Sequence, residues 1–135
     1  MKNLISPCEV AVKSVVPAMR ALLAKELVEK HNMKQNQVAE LLGISQSAVS
    51  KYNRKVRGHI IKIEEIEEIQ VPISNMIALL VNRKNQRTEF LKLFCQTCII
   101  IRKKGLMCQF CQKADSTIEM EKCNFCLIQS DSKRK

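Results

Sequence analysis

The stretch "QNQVAELLGISQSAVSKY", residues 35–52, constrains the fold of this chain more than any other. Gly43 separates two short segments with helical spacing, so the pattern predicts two short helices that cross at a tight turn. Ala39 must be small because the second helix passes over it, and Ser45 is a good N-cap for that helix. The apolar wedge shared by the two helices consists of Val38, Leu41, Leu42, Ile44 and Val49.

The second helix leaves short or amide polar side chains on its exposed face. Such groups suit the edges of bases in the major groove better than a protein core. A run of basic residues without an intervening acid follows, and it suits DNA phosphates, which supply affinity and its salt dependence. The alternative is a helix pair that merely packs. The residues predicted to read bases are Gln46, Ser47 and Ser50, and those assigned mainly to the DNA backbone are Lys51, Arg54, Lys55, Arg57 and His59.

This pattern resembles the helix-turn-helix of the XRE family, the Cro and lambda-repressor type. The spacing that carries the resemblance is that of Gln35, Ala39, Gly43, Ser45 and Val49. With "SPCEVAVK" near the start, the chain is similar to archaeal XRE-like regulators that carry a C-terminal cysteine segment.

The resemblance implies double-stranded DNA as the partner and a homodimer on palindromic sites. It also implies that Lys51 faces the major groove together with the three base-reading residues. Gln35 would contact phosphate from the start of the first helix. Lys34 stands where the family commonly has a Ser or Thr N-cap, which weakens the cap and places a cation beside the phosphate.

The composition favours helices throughout. Hydrophobic residues make up 46% of the 135 residues, whereas aromatic residues make up 4% and Gly and Pro occur three times each. Sheets need many turns and β-rich runs. We therefore predict an all-α fold, a helix-turn-helix DNA-binding domain of about five helices followed by a small cysteine-rich metal-binding segment. The predicted units are the DNA-binding domain 1–70, a helical linker or dimerisation region 71–104, the metal-binding segment 105–129 (with Cys95 and Cys98), and a disordered basic tail 130–135.

Apolar periodicity places the other helices. A helix over 10–30 either starts near Pro17 or is kinked there, because proline removes a hydrogen bond in a helix interior. Isoleucines spaced three apart over 60–69, with glutamates between them, predict an amphipathic helix. Two more helices are predicted at about 72–83 and 85–103. They carry more apolar residues than a small cap needs, and these form either a dimer surface or the core of one subunit: Ile77, Leu80, Phe90, Leu91, Phe94 and Ile101.

Six of the seven cysteines form three Cys-x-x-Cys pairs within 32 residues. Each pair can direct two sulfurs at one ion, and two pairs complete a tetrahedral thiolate shell. Zn²⁺ is slightly favoured, although four thiolates hold an iron–sulfur cluster equally well. Three interpretations stay open: a structural zinc, a cluster or labile metal that senses redox or iron, and thiol–disulfide switching. Cys8 is either a seventh ligand or, as is more frequent for a lone cysteine near a helix start, a buried small hydrophobe. Between the first two pairs, Arg102, Lys103 and Lys104 either contact DNA phosphate, stabilise thiolates or form solvated surface. The predicted ligands are Cys95, Cys98, Cys108, Cys111, Cys123 and Cys126.

The charge and the remaining patterns limit the function class. A formal net charge of +10 favours a polyanionic partner. The chain starts without a signal-peptide pattern and has no apolar run long enough to span a bilayer, so we expect a cytoplasmic protein with no membrane partner. No catalytic set, phosphate loop or small-molecule substrate site is readable, and we predict no enzyme activity. The alternatives are an RNA-binding or ribosome-associated basic protein with a structural zinc tail, and an adaptor.

Overall fold

The computed structural model describes residues 5–55, 61–82 and 86–115 together with Thr117, Cys123 and Cys126. Within those residues all regular structure is helical, in agreement with the predicted fold class, and no strand occurs. A short 3₁₀ helix spans Glu67–Ile69. The α-helices are α1 Pro7–Lys13, α2 Val15–Glu29, α3 Gln35–Leu42, α4 Gln46–Asn53, α5 Gln70–Val81, α6 Arg87–Lys103 and α7 Cys108–Ala114.

The first predicted helix is two helices. Ser6 caps α1 by accepting a hydrogen bond from the Glu9 N–H at 3.3 Å. The break falls at Ser14, whose hydroxyl donates to the carbonyl of Val10 at 2.7 Å. Pro17 lies in the first turn of α2, where its missing N–H has no helical partner to lose. The predicted helix start near Pro17 is therefore confirmed, and no kink is needed.

Helix α2 lies at the centre of the core. It packs against α1, α3, α4, α5 and α6. Val15, Met19, Leu23 and Leu27 are each 0% exposed along its length. Their spacing follows the helical repeat, and neighbours on other faces of α2 are buried as well, although Arg20 and Glu29 stay exposed.

The predicted amphipathic helix over 60–69 is wrong in its described part. Residues 61–66 have no helix, and only the 3₁₀ turn precedes α5. Ile61, Ile63 and Ile69 are nevertheless 6%, 2% and 0% exposed. β-Branched side chains lose rotamer freedom in a helix, and the four glutamates between them repel one another at helical spacing. Here a non-helical chain buries the isoleucines instead.

Helices α5 and α6 lie close to their predicted positions and pack against each other. Ile77 and Ile101 are 6% and 0% exposed, so these two complete the core of one subunit. Phe90 and Phe94 are half-buried with ring centroids 6.0 Å apart, and Leu91 is 45% exposed. Only part of the apolar set on these helices is therefore available to a second chain.

Helix α7 appears where the sequence showed no strong period. Gly105, with a φ of +78°, ends the turn after α6. Met107 and Cys111 then reach the core at 1% and 8% exposure. Residues 130–135, the predicted disordered tail, lie outside the described residues. Among the described helices, none has both the length and the apolar character needed to cross a membrane.

Candidate functional site

The turn between α3 and α4 depends on Gly43, which has a φ of +69°. The Ile44 N–H donates to the carbonyl of Ala39 at 3.0 Å, and the Gly43 N–H donates to that of Glu40 at 3.4 Å. These bonds satisfy carbonyls that the end of α3 would otherwise leave open. A Cβ on Gly43 would meet nothing within 4 Å. The glycine is therefore needed for its left-handed backbone, not for space.

Helix α4 begins with a strong cap and sits on a small residue, as the sequence predicts. The Ser45 hydroxyl accepts a hydrogen bond from the Ala48 N–H at 3.0 Å. Ala39 is 7% exposed beneath α4, and Val38 and Val49 are both 0% exposed. The two helices thus pack as one rigid unit on α2.

The first turn of α4 presents polar side chains to solvent. Gln46 and Ser47 are exposed, whereas Ser50 and Lys51 are half-buried, and Tyr52 anchors the helix at 5% exposure. Donors and acceptors at the exposed N-terminal turn of a helix can enter a groove without unfolding anything. Of the residues predicted to read bases, Gln46 and Ser47 are therefore the most accessible.

The residues assigned to phosphate lie at both ends of this unit. Lys34 is exposed as the N-cap of α3, and its backbone N–H donates to Oε1 of Gln37 at 2.9 Å. Gln35, the first residue of α3, is half-buried. Arg54 and Lys55 are exposed where α4 ends. Arg57 and His59 lie outside the described residues.

Comparison with known proteins agrees with this geometry. Residues 25–69, a third of the chain, match a family model described as helix-turn-helix. The match supports an XRE-type helix-turn-helix in this segment. The match supports a DNA-binding transcription regulator. No curated protein and no solved structure matches the chain at a significant level.

All seven cysteines are free thiols in the structure. Burial raises the pKa of Cys108 and of Cys111, and negative charge on Cys126 and Cys123 raises both further. The thiols of Cys123 and Cys126 therefore lie near enough to disfavour ionisation of Cys108 and Cys111. We call Cys108, Cys111, Cys123 and Cys126 the C-terminal thiol group.

The first Cys-x-x-Cys pair lies on α6. Cys95 and Cys98 are three residues apart on α6 and share a face of that helix. Burial raises the pKa of the Cys98 thiol, and charge on Cys95 and on Cys8 raises it further, while Arg102 opposes these effects. We call Cys8, Cys95 and Cys98 the N-terminal thiol group.

The side chain of Arg102 contacts one cysteine of each thiol group. Its Nε donates to the Sγ of Cys126 at 3.3 Å, and its Nη1 donates to the Sγ of Cys8 at 3.9 Å. The residue is 5% exposed. Burial lowers the pKa of its guanidinium, but hydrogen bonds and charge interactions with Cys126, Cys8 and Cys98 outweigh burial and raise it. A buried guanidinium with thiols around it favours sulfur in its anionic form.

The donor chemistry of the C-terminal thiol group fits a thiophilic metal ion. Two Cys-x-x-Cys pairs supply four sulfurs, the number that a tetrahedral thiolate shell requires. In the described part of the chain, however, no three His, Cys, Asp or Glu side chains already meet as a metal site would require. Metal binding therefore needs the thiols to rotate or the segment to move inward.

The sequence favoured Cys8 as a buried small hydrophobe over a seventh ligand, yet Cys8 is exposed and contacts Arg102. Of the three roles left open for Arg102, contact with thiols is the one that the structure has. The sequence held one indication that Arg102 lies near a thiol: Cys98 and Arg102 are four residues apart on a helix and so share a face. Nothing in the sequence brings Cys8, 94 residues from Arg102, to that face.

Proposed function

We propose that this protein is a sequence-specific, double-stranded-DNA-binding transcription regulator that acts as a homodimer in the cytoplasm. The supporting observation is the XRE-type helix-turn-helix with Gln46 and Ser47 exposed on the first turn of α4. Lys34, Gln35, Lys51, Arg54, Lys55 and Arg57 hold the phosphates on either side of that turn. The excess of basic residues, a net charge of +10, supports the same partner.

A competition binding assay tests this function. Duplexes selected from a random pool supply the specific site, and random duplex and single-stranded RNA compete for the protein. The Gln46→Ala and Ser47→Ala double variant should lose the preference for the selected site, by about 1–3 kcal/mol for each base contact. Asn75→Ala with Ser74→Ala is the matched control, since it removes an amide and a hydroxyl from exposed positions of α5.

The control variant should keep the preference for the selected site. Equal binding of the wild type to RNA and to random duplex would contradict the regulator and favour the RNA-binding alternative.

The proposed dimer uses the exposed side of α6. An open groove of about 490 Å³ lies between the helix-turn-helix and the helices α5 and α6. Leu80, Phe90, Leu91 and Phe94 are among its lining residues, and each keeps part of its surface exposed. A second recognition helix is needed because one helix reads too few bases for useful specificity.

Sedimentation analysis tests the dimer. Leu91→Glu places a charge on the proposed contact and should shift the protein to monomer without unfolding it, because Leu91 is 45% exposed. Val71→Glu on α5 is the control, since Val71 is exposed by 67%. Identical sedimentation of the two variants and the wild type would exclude this surface.

The cysteines hold the proposed cofactor, Zn²⁺ or an iron–sulfur cluster. The C-terminal thiol group supplies four thiolates, and the metal would tie together a segment that lacks a core of its own. Its role is either structural or that of a redox or metal sensor. Anaerobic purification with metal analysis distinguishes the two cofactors, because a brown protein with a broad absorption band holds an iron–sulfur cluster, whereas a colourless protein found to contain zinc excludes the cluster.

A further inference from the structure

Two cysteines from opposite ends of the chain contact the same buried side chain. The Nε of Arg102 donates to the Sγ of Cys126 at 3.3 Å, and its Nη1 donates to the Sγ of Cys8 at 3.9 Å. Both nitrogens belong to one planar, rigid guanidinium. The two sulfurs are therefore separated by no more than the width of that group and the lengths of two hydrogen bonds.

The two thiols differ in their access to solvent. Cys8 is exposed in the first turn of α1, whereas Cys126 is half-buried and Arg102 is 5% exposed. A small oxidant can therefore reach the sulfur of Cys8 directly from solvent. Cysteines that respond to oxidants are typically accessible and lie close to a second thiol, which resolves the oxidised sulfur as a disulfide. Cys8 has the exposure, and Cys126 supplies the second thiol.

Arg102 places a hydrogen-bond donor beside the exposed thiol. When a sulfur attacks a peroxide, the O–O bond breaks and negative charge develops on the departing oxygen. A fixed N–H donor next to that oxygen stabilises this charge. The guanidinium stays protonated at all ordinary pH values. Nη1 of Arg102 therefore supplies such a donor close to the Cys8 sulfur without any change of protonation.

We propose that Cys8 is a site of oxidation by hydrogen peroxide or organic hydroperoxides and that it then forms a disulfide with Cys126. In the first step the Cys8 sulfur attacks one oxygen of the peroxide, the O–O bond breaks, and a sulfenic acid and water form. In the second step the Cys126 sulfur attacks the Sγ of Cys8, the S–O bond breaks, and a second water leaves. The two thiols lose two electrons and two protons, which reduce one hydrogen peroxide to two molecules of water.

The disulfide would tie the first helix to the last cysteine pair. Helix α1 packs on α2, which also contacts α3 and α4 of the helix-turn-helix. Closing the bond to about 2 Å requires the side chains of Cys8 and Cys126 to rotate toward each other. In a reducing compartment such a bond is transient and suits redox sensing. The proposal goes beyond DNA binding and needs no bound metal, although a metal ion on Cys126 would compete for its sulfur.

Mapping of disulfides in the full chain tests the proposal. The reduced protein is treated with a chelator so that no ion occupies Cys126, exposed to one equivalent of hydrogen peroxide, blocked with N-ethylmaleimide and digested with trypsin without reduction. Peptide 3–13 contains Cys8 as its single cysteine, and peptide 123–133 contains Cys123 and Cys126. These two peptides should be recovered joined by a disulfide, from protein that runs as a single chain on a non-reducing gel.

Two serine variants identify the partner of Cys8. Cys126→Ser should lower the yield of the joined peptides about tenfold, because the resolving thiol is gone. Cys123→Ser is the matched control, since it changes the other cysteine of the same peptide, and should keep the wild-type yield. In Cys126→Ser the sulfenic acid at Cys8 should also persist, so that dimedone labels Cys8 about fivefold more than in the wild type.

Three results would overturn the Cys8–Cys126 disulfide. They are a peptide 3–13 that stays unlinked, a peptide 3–13 joined instead to peptide 93–102 with its Cys95 and Cys98, and joined peptides that come from a covalent dimer. Each of them leaves the proposed DNA binding and the four-thiolate site standing, because neither depends on a disulfide at Cys8.

Discussion

The hydroxyl of Ser45 accepts a hydrogen bond from the backbone N–H of Ala48 at 3.0 Å and so fixes the start of α4, the helix that carries the residues proposed to read bases. Removing an N-cap hydroxyl costs about 1 kcal/mol of folding free energy. Ser45→Ala should therefore lower the free energy of unfolding by about that amount, measured by chemical denaturation. Ser74→Ala, exposed inside α5, is the control and should be neutral or slightly stabilising. Equal losses in both variants would contradict the cap.

The left-handed backbone at Gly43 gives a second prediction. Gly43→Ala should destabilise the protein by about 1–2 kcal/mol, because an L side chain is disfavoured at a φ of +69°. No atom lies within 4 Å of the new Cβ, so a clash adds nothing. Gly43→Asn should cost less, since Asn visits this conformation more readily. Thermal melts of the two variants decide, and a larger loss for Asn than for Ala would refute the backbone explanation.

Salt dependence separates phosphate contacts from base contacts. Arg54→Gln should weaken binding to all duplexes alike and reduce the slope of log K against log salt by about 0.9 for one lost contact. Lys13→Gln removes an exposed charge from α1, a helix that packs on α2 and α7, and should leave the slope unchanged. Fluorescence anisotropy over a salt series provides the slopes. An unchanged slope in Arg54→Gln would remove this residue from the DNA interface.

Burial of Ile101 joins α6 to the core of the DNA-binding domain. The side chain is 0% exposed, and α6 packs on α2 as well as on α5. Ile101→Val should therefore cost about 0.5–1.5 kcal/mol in the free energy of unfolding. Val71→Ala, at a position that is 67% exposed, should stay within about 0.5 kcal/mol of the wild type. A two-step unfolding curve with only one step shifted would show that α6 folds separately.

The carboxylate of Glu68, just before α5, forms an ion pair with the ammonium of Lys104 at the end of α6. The hydrogen bond from Lys104 holds the pKa of Glu68 below its ordinary value of 4.5. Because the folded-state pKa is depressed, the pair contributes stability above that ordinary value and loses it as the pH falls through the folded-state pKa. Both groups are solvent-exposed, so the contribution is small.

NMR titration of the Glu68 carboxyl carbon measures this effect. In Lys104→Gln the pKa of Glu68 should return toward its ordinary value, whereas the neighbouring exposed variant Lys103→Gln should leave it low. A Glu68 titration that is the same in all three proteins would mean that the ion pair does not form in solution.

The helix-turn-helix could be predicted from the sequence because short-range interactions determine it. Gly43, Ala39 and Ser45 each act through the backbone within a few residues, so their spacing predicts the turn, the crossing and the cap, and the structure has all three. The helix predicted over 60–69 was wrong for the opposite reason. Its isoleucines satisfy helical spacing, but contacts with distant parts of the core decide their backbone conformation, and here that conformation is not helical.

The sequence by itself determined the all-helical fold, the DNA-binding unit and three cysteine pairs, because each follows from residues close together in the chain. Only the tertiary structure decided which thiols lie near one another. It places Cys8 beside Arg102 across 94 residues and buries Ile77 and Ile101 inside one subunit. The spacing of residues along the chain determines which side chains share a face of a helix. Which other element packs against that face depends on how the remaining helices pack around α2.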